Sequence, residues 1–198
     1  MMDEKAAIAS IKEGKLEGME LLVKRYQDKA FHAAMMVVRD HHLAEDIVQQ
    51  CFLKAYDNIQ NFRTELPFGP WFYRIVINQA INTAREQARL SPLDPEAEED
   101  EGAIARWIVD PQPMPEESLA HVQTARELRE ALAKLSPEHR GVLVMRYYLQ
   151  MGDKEIARQQ KRPLSTVKWW VRSARRKMRA ILAQDPPPPV GKEGVPHE

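Results

Sequence analysis

The chain has 198 residues, enough for one or two cored domains, and its 29 basic and 29 acidic side chains cancel. A single cysteine excludes an internal disulfide or a multi-cysteine zinc site, and no apolar run approaches the ~20 residues of a membrane span, so a cytoplasmic protein without membrane insertion is expected. His41 and His42 are adjacent and expected to point apart on a helix, and no phosphate-cradling glycine loop or nucleophile–base pair occurs; no metal, no cofactor and no enzymatic reaction are expected.

From the N-terminus, helical periodicity begins near residue 15. Leu21, Leu22, Val23, Tyr26, Ala30, Ala33, Ala34, Val37 and Val38 trace one helix. Ala44, Ile47, Val48, Cys51, Phe52, Ala55, Tyr56 and Ile59 then fall on a single apolar stripe of a second, which makes Cys51 a reduced core thiol. Its opposite face carries Glu45, Asp46, Gln49, Gln50, Lys54, Asp57 and Asn58. A third helix is expected from about Pro70 to Arg89, after a loop with Pro67 and Gly69. Between Asn61 and Arg74 the chain concentrates Phe62, Phe68, Trp71, Phe72 and Tyr73 beside Arg63 and Arg74, and Asn78 and Asn82 follow on one helical face. Aromatics interleaved with arginines suit unpaired bases, which need a face to stack on and a cation for each phosphate. The same aromatics also suit a core.

Residues 91–118 break the pattern. The stretch LSPLDPEAEEDEGAIARWIVDPQPMPEES, residues 90–118, holds five prolines, and residues 91–118 hold nine acids against Arg106. It reads as a flexible acidic linker with one apolar island, Ile104 to Val109 around Trp107. A second helical domain follows over 119–185, and the proline-rich tail 186–198 is expected to be disordered. Ser136-Pro137-Glu138 starts one of its helices, with Ser as the cap. Pro163 then divides two short helices joined by a tight turn; Ile156 and Ala157 of the first face Val167, Trp170 or Val171, and Ala174 of the second. From Thr166 to Leu182 the second carries Lys168, Arg172, Arg175, Arg176, Lys177 and Arg179 with no acid. A cationic helix held by a helix-turn-helix is what lying in a DNA groove requires. Residues 119–198 hold 16 basic and 8 acidic side chains, so neutrality overall hides a basic module behind an acidic neighbour. The fold expected is all-α: two small helical domains, an N-terminal bundle over 1–90 and a C-terminal helix-turn-helix domain.

Three motifs in order make a resemblance specific. AEDIVQQCFLKA, residues 44–55, resembles the AEDLVQEVFLKA motif of bacterial sigma factors. Asn61-Phe62-Arg63, followed by PWFYRI at 70–75 and by Asn78, is similar to their FR…WLYRIAxN segment. LSPEHRGVLVMRYY at 135–148 and STVKWWVRSARRKMR at 165–179 resemble their promoter-binding domain. With two domains and a short linker, the chain resembles the extracytoplasmic-function (group 4) branch over roughly residues 15–90 and 125–183.

The resemblance implies a transcription initiation factor that joins the beta and beta-prime subunits of core RNA polymerase, recognises two promoter elements and opens the duplex. By position, Asp46, Gln49, Gln50, Phe52 and Lys54 would meet the polymerase. Asn61, Phe62, Arg63, Phe68, Trp71, Tyr73, Arg74, Asn78 and Asn82 would hold the melted minus-ten strand, with a base flipped into the loop 61–71. Ser165, Thr166, Lys168, Trp169, Arg172 and Ser173 would face the minus-thirty-five duplex, while Arg175, Arg176 and Arg179 would grip its phosphates. The acidic linker would thread a basic polymerase channel. An anti-sigma factor is a further expected partner, and either it or the acidic linker would mask the basic helix in the free protein. Lys161 and Arg162 stand where the family commonly has Gly and an apolar residue, Trp169-Trp170 replaces a small or basic pair, and Leu66-Pro67 varies the base-capture loop. The competing reading is a dimeric helix-turn-helix regulator whose bundle binds a signal; it predicts a palindromic site and leaves the aromatic–amide cluster unused.

Overall fold

A computed structural model describes residues 3–90 and 127–184. The expected acidic linker, its island around Trp107 and the proline-rich tail lie outside the described residues, among which no strand occurs.

The first unit is built from α1 (Glu4–Lys12), α2 (Glu17–Val38), α3 (His41–Asn58), a 3-10 turn (Ile59–Asn61) and α4 (Phe68–Leu90). Asp3 caps α1, its Oδ1 accepting from the Ala6 amide at 2.7 Å. Gly18 lets α1 cross α2 closely, since a Cβ there would lie 2.2 Å from the Ala7 carbonyl oxygen. Alanines 30, 33 and 34 of α2 are fully buried and give α2 a narrow face against its neighbours. Asp40 caps α3 by accepting from the Leu43 amide at 2.8 Å. Every member of the predicted α3 stripe is buried except the half-buried Tyr56, and Cys51 is fully enclosed, its thiol pushed up to about 12 by burial.

The centre of this unit is aromatic. Phe72 has no exposed surface and stacks on Phe52 at 4.4 Å and Phe68 at 5.5 Å, with Tyr26 tilted against it at 6.3 Å. Glu4 fastens three elements there: it accepts from the Tyr26 hydroxyl and the Phe68 amide (3.2 Å) and pairs with Arg25 at 3.6 Å. The loop after α3 is held to α1 by Lys12 Nζ donating to the Phe62 carbonyl (2.7 Å) and Gln60 Nε2 donating to the Lys12 carbonyl (2.9 Å).

The second unit comprises α5 (residues 127–133), α6 (Pro137–Leu143) running into a π-helical turn (Val144–Tyr148), α7 (Asp153–Gln160) and α8 (Leu164–Gln184). Ser136 occupies the cap position and Pro137 the first turn, as expected, but the serine hydroxyl bonds His139 Nδ1 at 2.8 Å instead of a backbone amide. Ile156, Val167, Val171, Ala174 and Met178 pack α7 on α8, and Met145 and Met151 close the core beneath them. The two units are in contact, α4 lying against α6 and α7.

The turn between α7 and α8 runs through Lys161 at φ 50, ψ 45, a left-handed backbone where a Cβ is unwelcome. Lys161→Gly is therefore expected to stabilise the second unit by about 1 kcal/mol. Thermal unfolding checks it as a rise of roughly 4–8 °C in that unit's midpoint.

Candidate polymerase- and nucleic-acid-binding surfaces

On α3 the polar face remains free among the described residues. Asp46, Gln49, Gln50 and Lys54 are exposed, and Leu53 stands among them with 67% of its surface in solvent. An apolar side chain in the middle of a polar stripe is the composition of a docking patch. Phe52, expected by resemblance to meet the polymerase, is instead buried against Phe72 and can only support this face from behind. Lys54 Nζ also donates to Gln79 Oε1 at 2.7 Å, tying this face to α4.

The residues expected at the minus-ten strand divide into two groups. Phe62, Phe68 and Tyr73 are buried: Phe62 packs on Trp71 at 4.9 Å and Phe68 at 5.8 Å, and Tyr73 sits edge-on to Tyr26 at 5.8 Å. Burial pushes the Tyr73 hydroxyl up to about 12, so it stays a neutral donor. Asn61, Arg63 and Asn82 are exposed, and Trp71, Arg74 and Asn78 are half-buried. Trp71 rests on Phe62 and Phe68, which hold its ring at the edge of the core. The Arg74 Nε is enclosed without a hydrogen-bond partner, at a cost of about 1–3 kcal/mol. Of the residues expected at the strand, one indole, two arginines and the three amides thus keep surface in solvent.

On α8 the segregation is clean. Val167, Val171, Ala174 and Met178 are buried, whereas Ser165, Lys168, Trp169, Arg172, Arg175, Arg176 and Arg179 are exposed. Thr166 and Ser173 lie at the margin, half-buried. Trp169 keeps 60% of its surface in solvent, while Trp170 turns inward beneath the Arg162 guanidinium, 6.0 Å from its ring centre. No described residue covers the cationic face. The expected masking of this helix by residues 94–101 falls outside the described residues.

Two further features went unread in the sequence. Met36, Leu128, Leu132, Leu143, Tyr147, Met178 and Leu182 line an apolar groove of about 570 Å³ rimmed by Arg175 and Arg179. At the start of α3, His41, His42 and Glu45 bring their ligand atoms within 4.8 Å of one another, although adjacent histidines had been expected to diverge. Both rings turn toward Glu45, whose Oε2 is 3.6 Å from His41 and 4.0 Å from His42, while the His41 ring also packs edge-on to Phe31 at 5.0 Å.

Both units match models of one protein family. The Sigma-70 region 2 model matches residues 22–90 and the Sigma-70 region 4 model residues 125–178, together more than half of the chain. The chain is 29% identical to the ECF RNA polymerase sigma factor SigW of Bacillus subtilis over 179 residues, 90% of this chain and 96% of that protein. It is 28% identical to the RNA polymerase sigma-H factor of Pseudomonas aeruginosa, covering 81% of this chain and 84% of the relative. Among solved structures, CnrH in complex with the cytosolic domain of CnrY shares the fold with a TM-score of 0.63 at 23% identity, covering 92% of this chain and 98% of CnrH. The sigma factor RpoE in complex with the anti-sigma factor NepR from Bartonella quintana does so with a TM-score of 0.62 at 19% identity, covering 84% and 97%. Two domain matches in family order, over surfaces that present a polar docking stripe and a cationic helix, establish that the chain belongs to the sigma-70 family as an extracytoplasmic-function sigma factor, a subunit that directs RNA polymerase to promoters.

Proposed function

We propose that the chain works by binding alone, catalysing no reaction of its own, and that it does so in the cytoplasm with its contacts divided among three surfaces. Asp46, Gln49, Gln50, Leu53 and Lys54 dock on core polymerase. Trp71, Arg74, Asn78 and Asn82, with Asn61 and Arg63 on the preceding loop, hold the melted minus-ten strand. Lys168, Trp169 and Arg172 read the minus-thirty-five duplex while Arg175, Arg176 and Arg179 hold its phosphates. The observation that supports this division best is the segregation on α8, where the cations face solvent and the aliphatic residues face the core. A face of that charge, two helical turns and more in length, suits a major groove and its flanking phosphates. The two solved relatives are bound to CnrY and to the anti-sigma factor NepR, which supports an anti-sigma factor as a further partner of this chain.

Run-off transcription with purified core polymerase on genomic promoter fragments tests the reading. The chain is expected to yield specific transcripts, and Asn78→Ala or Lys168→Ala to reduce them at least ~10-fold, the effect of one lost base-reading contact. Tight binding to duplex DNA with no transcript and no core binding would instead favour the dimeric regulator.

A further inference from the structure

Only Arg39 and Asp40 connect α2 to α3, and the first turns of α3 gather three side chains able to bind a metal. Asp40 Oδ1 accepts from the Leu43 amide at 2.8 Å, which fixes the start of the helix and engages that carboxylate as a cap. His41 and Glu45 are then four residues apart and His42 and Glu45 three, the two spacings at which side chains on a helix meet. Adjacent histidines alone gave no reason to expect a metal, but Glu45 is the neighbour that both can reach. Its Oε2 lies 3.6 Å from His41 Nδ1 and 4.0 Å from His42 Nδ1, and the three ligand atoms fall within 4.8 Å of one another. A four-coordinate zinc ion, bonded to nitrogen and oxygen at about 2.0–2.2 Å, holds its ligand atoms roughly 3.4 Å apart. The cluster is therefore close to a coordination geometry before any ion arrives.

We infer that His41, His42 and Glu45 form a binding site for a divalent transition-metal ion of the zinc class, with one coordination position left to water or to a donor from outside. Closing the remaining distance takes side-chain rotation alone. His42 has 93% of its side chain in solvent and Glu45 is exposed, so both are free to turn. His41 is the fixed member, half-buried with its ring against Phe31 of α2. The two imidazoles stand 76° apart with centroids at 5.8 Å, so they do not stack on each other and away from the carboxylate.

The donor set decides the class of ion. Two imidazole nitrogens and one carboxylate suit zinc, nickel or copper, whereas magnesium and calcium take oxygen ligands. Charge permits the site as well. The positive end of α3 works against a cation, but residues 40–46 hold Asp40, Glu45 and Asp46 and no lysine or arginine, which offsets it. Asp46, the first residue of the exposed polar face of α3, directly follows Glu45, so a bound ion would place two positive charges at one end of that face. The site is independent of the functional assignment made above, and its test needs neither polymerase nor DNA.

The test titrates the untagged, chelator-stripped full-length chain with zinc chloride in competition with a chromophoric chelator. A parallel titration uses cobalt(II) chloride, whose visible absorption reports four-coordination. The wild-type chain is expected to take up about one equivalent of either ion, and millimolar magnesium is expected not to displace it. His42→Ala and Glu45→Gln should each weaken zinc binding at least ~10-fold and remove the cobalt band, since losing even an outer partner of a ligand costs about 10–100-fold. Both residues are exposed, so without metal these variants should unfold at the wild-type midpoint. His139→Ala, which removes the imidazole bonded to Ser136 on α6, should bind as the wild type does. Zinc binding no tighter in the wild type than in the double variant His42→Ala/Glu45→Gln overturns the inference. So does one-equivalent binding that His139→Ala abolishes and the α3 variants keep. Displacement by millimolar magnesium also overturns it, by reducing the cluster to a patch of negative charge without a selective site.

Discussion

Phe72→Ala is expected to lower the stability of the first helical unit by about 3–5 kcal/mol, the cost of removing a fully buried aromatic from a site that cannot collapse. Phe72 has no exposed surface and touches rings from four other positions: Phe52 on α3, Tyr26 on α2, and Phe68 and Tyr73 on its own helix. Two of these neighbours are held by further partners and resist moving into the void, Tyr26 by Glu4 and Phe68 by Phe62 and Trp71. Domains of this size have only about 5–15 kcal/mol in hand, so the loss takes roughly a fifth or more of it. At about 4–8 °C per kcal/mol, the first unit's thermal midpoint should fall by at least ~12 °C, while the midpoint of the second unit moves far less. Phe72→Leu, which keeps most of the volume, should recover more than half of the loss. A shift under ~1 kcal/mol for the alanine variant would mean that the aromatic cluster is not the keystone described here.

The same cluster shows how far the sequence could be read. The α3 stripe was legible because one face is buried along its whole length, so the 3.6-residue period survives in the residue types. Phe52 sits on that stripe at the eighth residue after Ala44, so periodicity alone assigned it to the core, and motif position pulled it to the surface. Phe62 and Phe68 are ambiguous for a different reason. Between Ile59 and Phe68 there is no period to say which way a ring turns, and the loop is fixed by its bonds to α1, through Lys12, Gln60 and Glu4. Tyr73, inside α4, packs edge-on to Tyr26 of α2. Leu53 carried a signal that went unused: it is the one leucine among Gln49, Gln50, Lys54 and Asp57, an apolar residue out of phase with its own helix.

The contacts between the units left no trace in the sequence at all. Gln160 meets Asn78 across 82 residues and Arg85 meets Glu138 across 53, and nothing in local periodicity encodes such pairings. Gly141 was visible only as a glycine inside a helix, where its cost of about 1 kcal/mol relative to Ala called for a reason. The reason is the close approach of α6 to Ile77 and Ile81 on α4. Charge segregation, in contrast, was read without any structure, because α8 exposes the whole face on which its cations fall.

That face makes the sharpest prediction for DNA. Replacing Arg175, Arg176 and Arg179 together with Gln is expected to reduce the slope of log affinity against log salt by about 2.7, since each phosphate contact releases close to one counterion. At ~0.1 M salt this corresponds to a loss on the order of 10²-fold, spread evenly over all duplex sequences, because phosphate contacts position the helix without discriminating bases. Lys168→Ala should behave differently. Lys168 lies two turns closer to the start of α8, the end that a helix-turn-helix presents to base edges. Its loss should cost about 1–3 kcal/mol on the preferred promoter and far less on random duplex, narrowing the specificity ratio. The glutamine triple variant should fold normally, as all three arginines are exposed and their helix is anchored by Val167, Val171, Ala174 and Met178. Salt titrations of both variants on a promoter and a random duplex separate the roles. If the triple variant lost affinity only on the promoter, or if Lys168→Ala weakened both duplexes equally, the division of α8 into a reading end and a gripping end would be reversed. The apolar groove rimmed by Arg175 and Arg179 would then be the better explanation for the charge at that end, as the lip of a protein-docking surface.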